Sequence, residues 1–316
     1  MPRNLKNPVS KDELSEIIAG LNQSPKMISP KYFYDEQGSR LFEQICELPE
    51  YYLTRTEIDI MQSCMDEMSA RIGKQARVIE YGIGSGLKTR ILLEGLDDPV
   101  AFIPIDISPE HLAEASRELA QRFPHIEILP VAADFTRPVL IPETKRKSLR
   151  NLVYFPGSTI GNFEPDAALE LLRVMRQEAG PGGALLIGTD LKKDPQIIEP
   201  AYNDSHGVTA QFNLNMLRHL NRKFDSDFNL QHYRHHATYD EQSGRVEMHL
   251  ISEDDQQVTL GEHQFSIANG EKIITEYCHK FSPEDFRELA SCAGFCHVNS
   301  WTDLNHWFSI QLFECH

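Results

Sequence analysis

The sequence predicts an α/β protein: a doubly wound, mostly parallel sheet finished by an antiparallel hairpin, with a second α+β lobe beside it. Three observations lead there. Short apolar runs alternate with amphipathic segments through the middle of the chain, the pattern of strand and crossover helix. The last two apolar runs are separated by too few residues for a parallel crossover and must pair antiparallel. The stretch from Lys192 to Lys280 and the N-terminal region stand outside the alternation. The expected division is 56–195 for the sheet core, 281–316 for the helix and hairpin completing it, and 1–55 with 196–280 for the second lobe.

Each element has its own signal. TRTEIDIMQSCMDEMSARIG opens with a Thr54/Glu57 capping box and places Ile58, Met61, Met65, Met68 and Ile72 on one helical stripe. ARVIEYG, AFIPIDIS and IEILPVAADF follow as buried strands. Ser108 and Pro109 occupy the N-cap and first-turn positions of a helix carrying Leu112, Ala115 and Leu119. NLVYFPG is the fourth strand. A helix with Ala168, Leu171, Leu172 and Met175 then stops at Gly180-Pro181-Gly182-Gly183, before the fifth strand, ALLIGTD. SPEDFRELASCAGF is one more helix, and CHVNSWTD and WFSIQLFE form the hairpin. In the second lobe GVTAQFNLNMLRHLNRKF reads as a helix and RHHATYDEQSGRVEMHLISEDDQQVTL as strands turning at Ser243-Gly244 and Asp254-Asp255. Asn269-Gly270 is a hairpin signal ahead of EKIITEYCHK, on which Ile274, Glu276, Cys278 and Lys280 share a face.

Composition excludes several partner classes. The 316 residues carry 31 basic against 47 acidic side chains, a net charge of −16, which argues against holding nucleic acid or anionic membrane by general electrostatics. No stretch approaches the roughly 20 apolar residues of a membrane span. The first residues lack the apolar segment of a secretory signal, so a cytoplasmic protein is expected. Six scattered cysteines fit reduced thiols. Cys292-x3-Cys296-His297 lacks a second ligand pair of matching spacing, and His232, His235 and His236 carry no acidic partner at metal spacing, so packing or surface roles are expected and no metal site. Asn213, Asn215 and Asn221 are expected to face solvent or cap neighbouring strands.

The chemistry begins at VIEYGIGSG. Glu80, Gly82, Gly84 and Gly86 directly follow the first strand of the sheet, where glycines let a backbone approach a ligand at the carboxyl ends of the strands. The spacing is E-x-G-x-G-x-G, not the dinucleotide G-x-G-x-x-G. It resembles motif I of the class I (Rossmann-like) methyltransferases, which bind S-adenosylmethionine. Asp106, ending the second strand, is placed to accept hydrogen bonds from ribose hydroxyls, which either cofactor would use. Asp134 and Phe135, ending the third, are placed for an adenine amino group and its ring.

Longer strings sharpen the likeness. Pro30 to Asp35 (PKYFYD), Leu48 to Glu57 (LPEYYLTRTE), Gly82 to Arg90 (GIGSGLKTR), Pro156 to Phe163 (PGSTIGNF), Gly188 to Pro195 (GTDLKKDP), Ala201 to Asp204 (AYND) and Val246 to Met248 (VEM) together resemble the L-histidine Nα-methyltransferases of ergothioneine biosynthesis, over nearly the whole chain. The resemblance implies that Tyr34, Gly82, Lys88, Asp106, Asp134 and Phe135 contact S-adenosylmethionine, with Glu80, Gly84 and Gly86 completing the elbow. It implies that Tyr51, Gly157, Asn162 and Tyr202 hold the amino and carboxylate ends of the amino acid in a substrate-binding lobe. Glu276 and Cys278 would hold the imidazole, and Met248 would lie near it. The family pattern carries Ser where this chain has Cys278, a weaker donor. Outside the resemblance, Met248 reads as core and Glu276 as a partner for Lys280.

Methyl transfer from a sulfonium is an in-line displacement, so placing a neutral amine lone pair at about 3 to 3.5 Å is the main demand. Tyr34 and Tyr51 are the catalytic candidates, for orienting the amine rather than for true base catalysis, since an unperturbed Tyr titrates near 10. The expected enzyme makes the trimethylated betaine of histidine as a monomer. A tryptophan-type amino acid is the rival substrate. From other classes the rivals are a nicotinamide-dependent oxidoreductase, disfavoured by the missing G-x-G-x-x-G, and a noncatalytic cofactor-binding protein, which would not need a second ligand set.

Overall fold

The computed structural model describes residues 11–84, 86–137 and 139–316, so Ser85 of the glycine turn lies outside the described residues. They divide into two compact units: residues up to Tyr51 with Pro195–Tyr277, and Tyr52–Asp194 with Cys278–His316.

The second of these holds the large sheet. From one edge its strands run Phe295–Thr302, Phe308–Cys315, Ala184–Asp190, Arg150–Phe155, Ala76–Tyr81, Ala101–Asp106 and Glu127–Ile128, with Val131–Ala132 also paired to Ala101–Asp106. All pairings are parallel except those of Phe308–Cys315, which is antiparallel to both neighbours. This is the expected doubly wound sheet with its terminal hairpin folded back in. The order reverses between Ala76–Tyr81 and Arg150–Phe155, the switch point at which ligands bind in such sheets. Ile79, Ile103, Val153, Leu185 and Phe313 pack with Leu171, Leu172, Met175 and Phe286 in one buried cluster.

Two expectations here need correction. IEILPVAADF is not one strand: pairing breaks at Leu129-Pro130, because proline has no N–H to donate to a ladder, and Asp134 and Phe135 lie in the turn beyond. The helix expected from Thr54 runs Tyr52–Ile72, so Thr54 lies inside it and the Thr54/Glu57 capping box does not form. Starting early buries Tyr52 and Leu53, and packing of an apolar face outweighs a local cap.

The first unit holds a four-stranded sheet in the order Lys26–Met27, Lys272–His279, Arg245–Ser252, Tyr233–Asp240, and a separate pair, Gln256–Leu260 with His263–Ile267. Its long helix, Val208–Phe224, packs on the helix Glu36–Glu47. Phe212 stacks on Phe33 with ring centroids 4.4 Å apart. Asn213 and Asn215 are fully buried rather than solvent-facing: Asn213 Nδ2 donates to the His249 carbonyl at 3.1 Å and Asn215 Nδ2 to Asp35 at 2.8 Å. Asn221 fixes the helix end, donating to the Phe228 carbonyl and accepting from Ser226 and the Phe228 N–H. Asn269-Gly270 does turn the chain, but from one sheet into the other. The true hairpin turn is Gly261-Glu262, where Leu260 pairs with His263 and Gly261 has φ +60°.

Candidate active site

The glycine elbow has the backbone that its sequence demands. Gly82, Gly84 and Gly86 have φ of +76°, +50° and +68°, the left-handed region that a Cβ disfavours. A Cβ built on Gly84 or Gly86 would meet nothing within 4 Å, so the elbow presents open backbone. Gly86 leads directly into the helix Leu87–Gly95, whose first turn carries Lys88. Below the elbow, Glu80 is buried and accepts from Thr89 Oγ1 at 2.7 Å; burial pushes its carboxyl up to about 8. Asp106 takes the Ser108 N–H at 2.9 Å on one oxygen and the Ile83 N–H at 3.2 Å on the other, which ties the second strand end to the elbow. Burial raises this carboxyl too. Phe135 lies edge-on to Tyr81 at 5.4 Å, and its ring edge is 4.0 Å from where a Gly82 Cβ would stand. Asp134 accepts from Thr136 N–H and Oγ1, which orients the carboxylate beside that ring.

The carboxylate at the centre of this unit is one that sequence reasoning assigned to a cap. Glu57 is 1% exposed, receives Lys88 Nζ at 2.7 Å on Oε2, and accepts the Gly157 N–H at 2.9 and 3.1 Å. Its signal was present: Leu53, Glu57, Ile60 and Met61 continue the apolar stripe by one turn, so a charge stood on the buried face.

Gly157 and Asn162 belong to a loop that the structure pins at three points. Gly157 and Ser158 are consecutive left-handed residues, φ +79° and +60°, ahead of the short helix Thr159–Asn162. The Gly157 N–H goes to Glu57, Ser158 Oγ accepts the Asp190 N–H at 2.9 Å, and Gly161 packs so closely on His279 that a Cβ would come within 2.5 Å of its carbonyl oxygen. Asn162 is partly exposed at the end of this turn.

In the first unit an edge-to-face series of rings brings three predicted residues together. Tyr34 meets Phe42 at 5.9 Å, Phe42 meets Tyr51 at 6.3 Å, and Tyr51 meets Tyr202 at 6.3 Å. The Tyr202 carbonyl is bonded by His235, whose other ring nitrogen faces Asn213, so His235 packs inside the unit. Met248 and Glu276 lie on adjacent strands, both buried, and the Met248 carbonyl accepts from Thr275 Oγ1 at 3.2 Å.

A family model described as "Histidine-specific methyltransferase, SAM-dependent" matches residues 13–315. The chain belongs to this family. Among similar proteins, the histidine N-alpha-methyltransferase of Mycolicibacterium smegmatis is 38% identical over 99% of both chains. The histidine N-alpha-methyltransferase of Mycobacterium tuberculosis is 35% identical over 94% of this chain and 93% of its own. Ergothioneine biosynthesis protein 1 of Neurospora crassa is 34% identical over 90% of this chain and 32% of its own length.

As a member of an S-adenosylmethionine-dependent family the protein is a small-molecule methyltransferase, and neither a nicotinamide enzyme nor a noncatalytic scaffold is favoured. The elbow fits that cofactor: open glycine backbone, a strand-end carboxylate and an aromatic ring line one sheet end. Next to it in the same unit lies a cluster that sequence reasoning missed. Asp190, ending the fifth strand, accepts Lys280 Nζ at 2.8 Å, Lys193 Nζ at 2.6 Å and the Tyr52 hydroxyl at 2.8 and 3.0 Å. Burial alone would raise Asp190, but the two ammonium groups outweigh it and hold the carboxyl low. Lys193 is pushed down to about 8 by burial. Lys280 also donates to Cys278 Sγ at 3.2 Å while paired with Asp190. His232 pairs with Asp254 at 2.8 Å. Cys292 and Cys296 are exposed free thiols. Among the described residues no group of three or more His, Cys, Asp or Glu is placed for a metal ion, and no helix is long and apolar enough to cross a membrane.

Proposed function

We propose that this methyltransferase methylates the α-amino group of free L-histidine, to the trimethylated betaine hercynine, in ergothioneine biosynthesis. The observation that carries the reading is the end-to-end likeness to two histidine N-alpha-methyltransferases, with the amino-acid residues of the family pattern retained apart from Cys278. S-adenosylmethionine, when bound, supplies a sulfonium methyl group.

The residues of this chain divide the remaining work. Tyr34, Glu80, Gly82, Gly84, Gly86, Lys88, Asp106, Asp134 and Phe135 would hold the cofactor. Tyr51, Tyr202, Gly157 and Asn162 would hold the amino and carboxylate ends of histidine; a carboxamide and phenols grip a carboxylate directionally without adding a cation. The Gly157 N–H already donates to Glu57, so this residue would contribute the left-handed turn that its missing Cβ allows close beside Lys88. Glu276 would accept an imidazole N–H, with Cys278 and Met248 beside the ring.

Tyr34 and Tyr51 would orient the amine so that its lone pair faces the methyl group. Their hydroxyls serve as relays for the departing proton rather than as its final base. As methyl groups accumulate the nitrogen becomes a fixed cation, and the ring faces of Tyr34, Phe42, Tyr51 and Tyr202 offer it weak π contacts while leaving it free to turn. A cytoplasmic setting and a monomeric state complete the proposal, and sedimentation would test the latter.

The test is calorimetry on two variants with two ligands. Asn162→Ala and Glu276→Ala should weaken L-histidine binding about tenfold or more, as loss of a hydrogen bond to a charged group does, while S-adenosylhomocysteine binding stays within twofold. Loss of S-adenosylhomocysteine binding alone would refute the assignments. A mass increase of three methyl groups on histidine, and none on tryptophan, would fix the substrate.

A further inference from the structure

Glu57 touches both a residue assigned to the cofactor and the loop assigned to the amino acid. Its Oε2 takes the Lys88 ammonium at 2.7 Å, and both oxygens face the Gly157 N–H at 2.9 and 3.1 Å. Room for it is built in. A Cβ on Gly188 would overlap its Oε1, and a Cβ on Gly157 would stand 3.2 Å from Lys88 Nζ, so two glycines keep the three groups in contact. The pair is hardly hydrated: the side chains of Glu57 and Lys88 are 1% and 20% exposed.

A buried acid of this kind costs desolvation, which only good geometry to several partners offsets. Lysine is a point charge on a flexible stem and takes its position from its neighbours. A peptide turning through two left-handed residues is likewise held only by what surrounds it.

We infer that Glu57 is a positioning residue for both ligands: it fixes the Lys88 ammonium for the cofactor and the Gly157–Asn162 turn for the amino acid, without touching either. The inference rests on the assignments of Lys88 and Asn162 proposed above. Glu57→Gln keeps an acceptor for the Gly157 N–H but removes the charge opposite Lys88; Glu57→Ala removes both.

Calorimetry on the full chain separates the two arms. Glu57→Gln should weaken S-adenosylhomocysteine about tenfold and leave L-histidine within twofold, while Glu57→Ala should weaken both about tenfold. Near-UV circular dichroism checks that each variant is folded. In a Lys88→Met background, Glu57→Gln should change S-adenosylhomocysteine affinity less than twofold, because its partner is gone.

An undiminished effect in that background would overturn the inference, since it would mean general loosening. So would unchanged S-adenosylhomocysteine affinity in Glu57→Gln while Lys88→Met is weakened. If Lys88→Met itself binds normally, the cofactor assignment of Lys88 fails first, and the cofactor arm falls with it.

Discussion

The Lys280 ammonium lies 2.8 Å from the Asp190 carboxylate, and neither side chain reaches solvent. Lys193, nearly as buried, shares the same carboxylate at 2.6 Å. Two cations around one anion make the members unequal. Asp190→Asn leaves two buried ammonium groups facing each other and should cost about 3–5 kcal/mol. Lys280→Met leaves Asp190 with Lys193 and the Tyr52 hydroxyl and should cost less. Urea denaturation of both variants checks the ranking; the opposite order would mean that packing, not charge balance, sets the cost.

Glu80 makes stability depend on pH in a stated direction. Its carboxyl titrates near 8 in the folded chain, raised by burial from the usual 4.5. Between these values the folded chain keeps a proton that the unfolded chain has lost. The contribution of this group is therefore full below about 4.5 and declines as pH rises toward 8. Glu80→Gln removes the dependence, so the stability of the natural chain minus that of the variant should fall with rising pH across this window. A difference that is flat with pH would contradict the buried, protonated carboxyl.

Cys278 gives a third prediction. The thiol accepts from Lys280 at 3.2 Å and stands where the family pattern has a hydroxyl. A serine there donates a stronger hydrogen bond, worth about 0.5–1.5 kcal/mol. Cys278→Ser should thus lower KM for L-histidine roughly two- to tenfold with kcat little changed. Steady-state kinetics checks it, and an unchanged KM would remove position 278 from the imidazole contacts.

Much of the fold and the backbone shape of the glycine elbow are legible in the sequence. The alternation of strands and helices, the terminal hairpin, the Ser108-Pro109 helix start and the left-handed glycine elbow are all written within a few consecutive residues, as periodicity and turn chemistry. Local signals misled where two sites competed for one role, as at Asn269-Gly270, where the paired hairpin formed at Gly261-Glu262 instead.

What the sequence by itself determined, then, is the order of the elements and the backbone shape of the elbow. The tertiary structure alone decided the partners of the buried charged and polar groups: Glu57 with Lys88 and Gly157, 31 and 100 residues away, Asp190 with Lys280, and Asn215 with Asp35. The reason is physical. A periodic pattern reports which face of an element is dry, but a charge on that face is tolerable only against a specific opposite group, and chain crossings far apart in sequence choose that group.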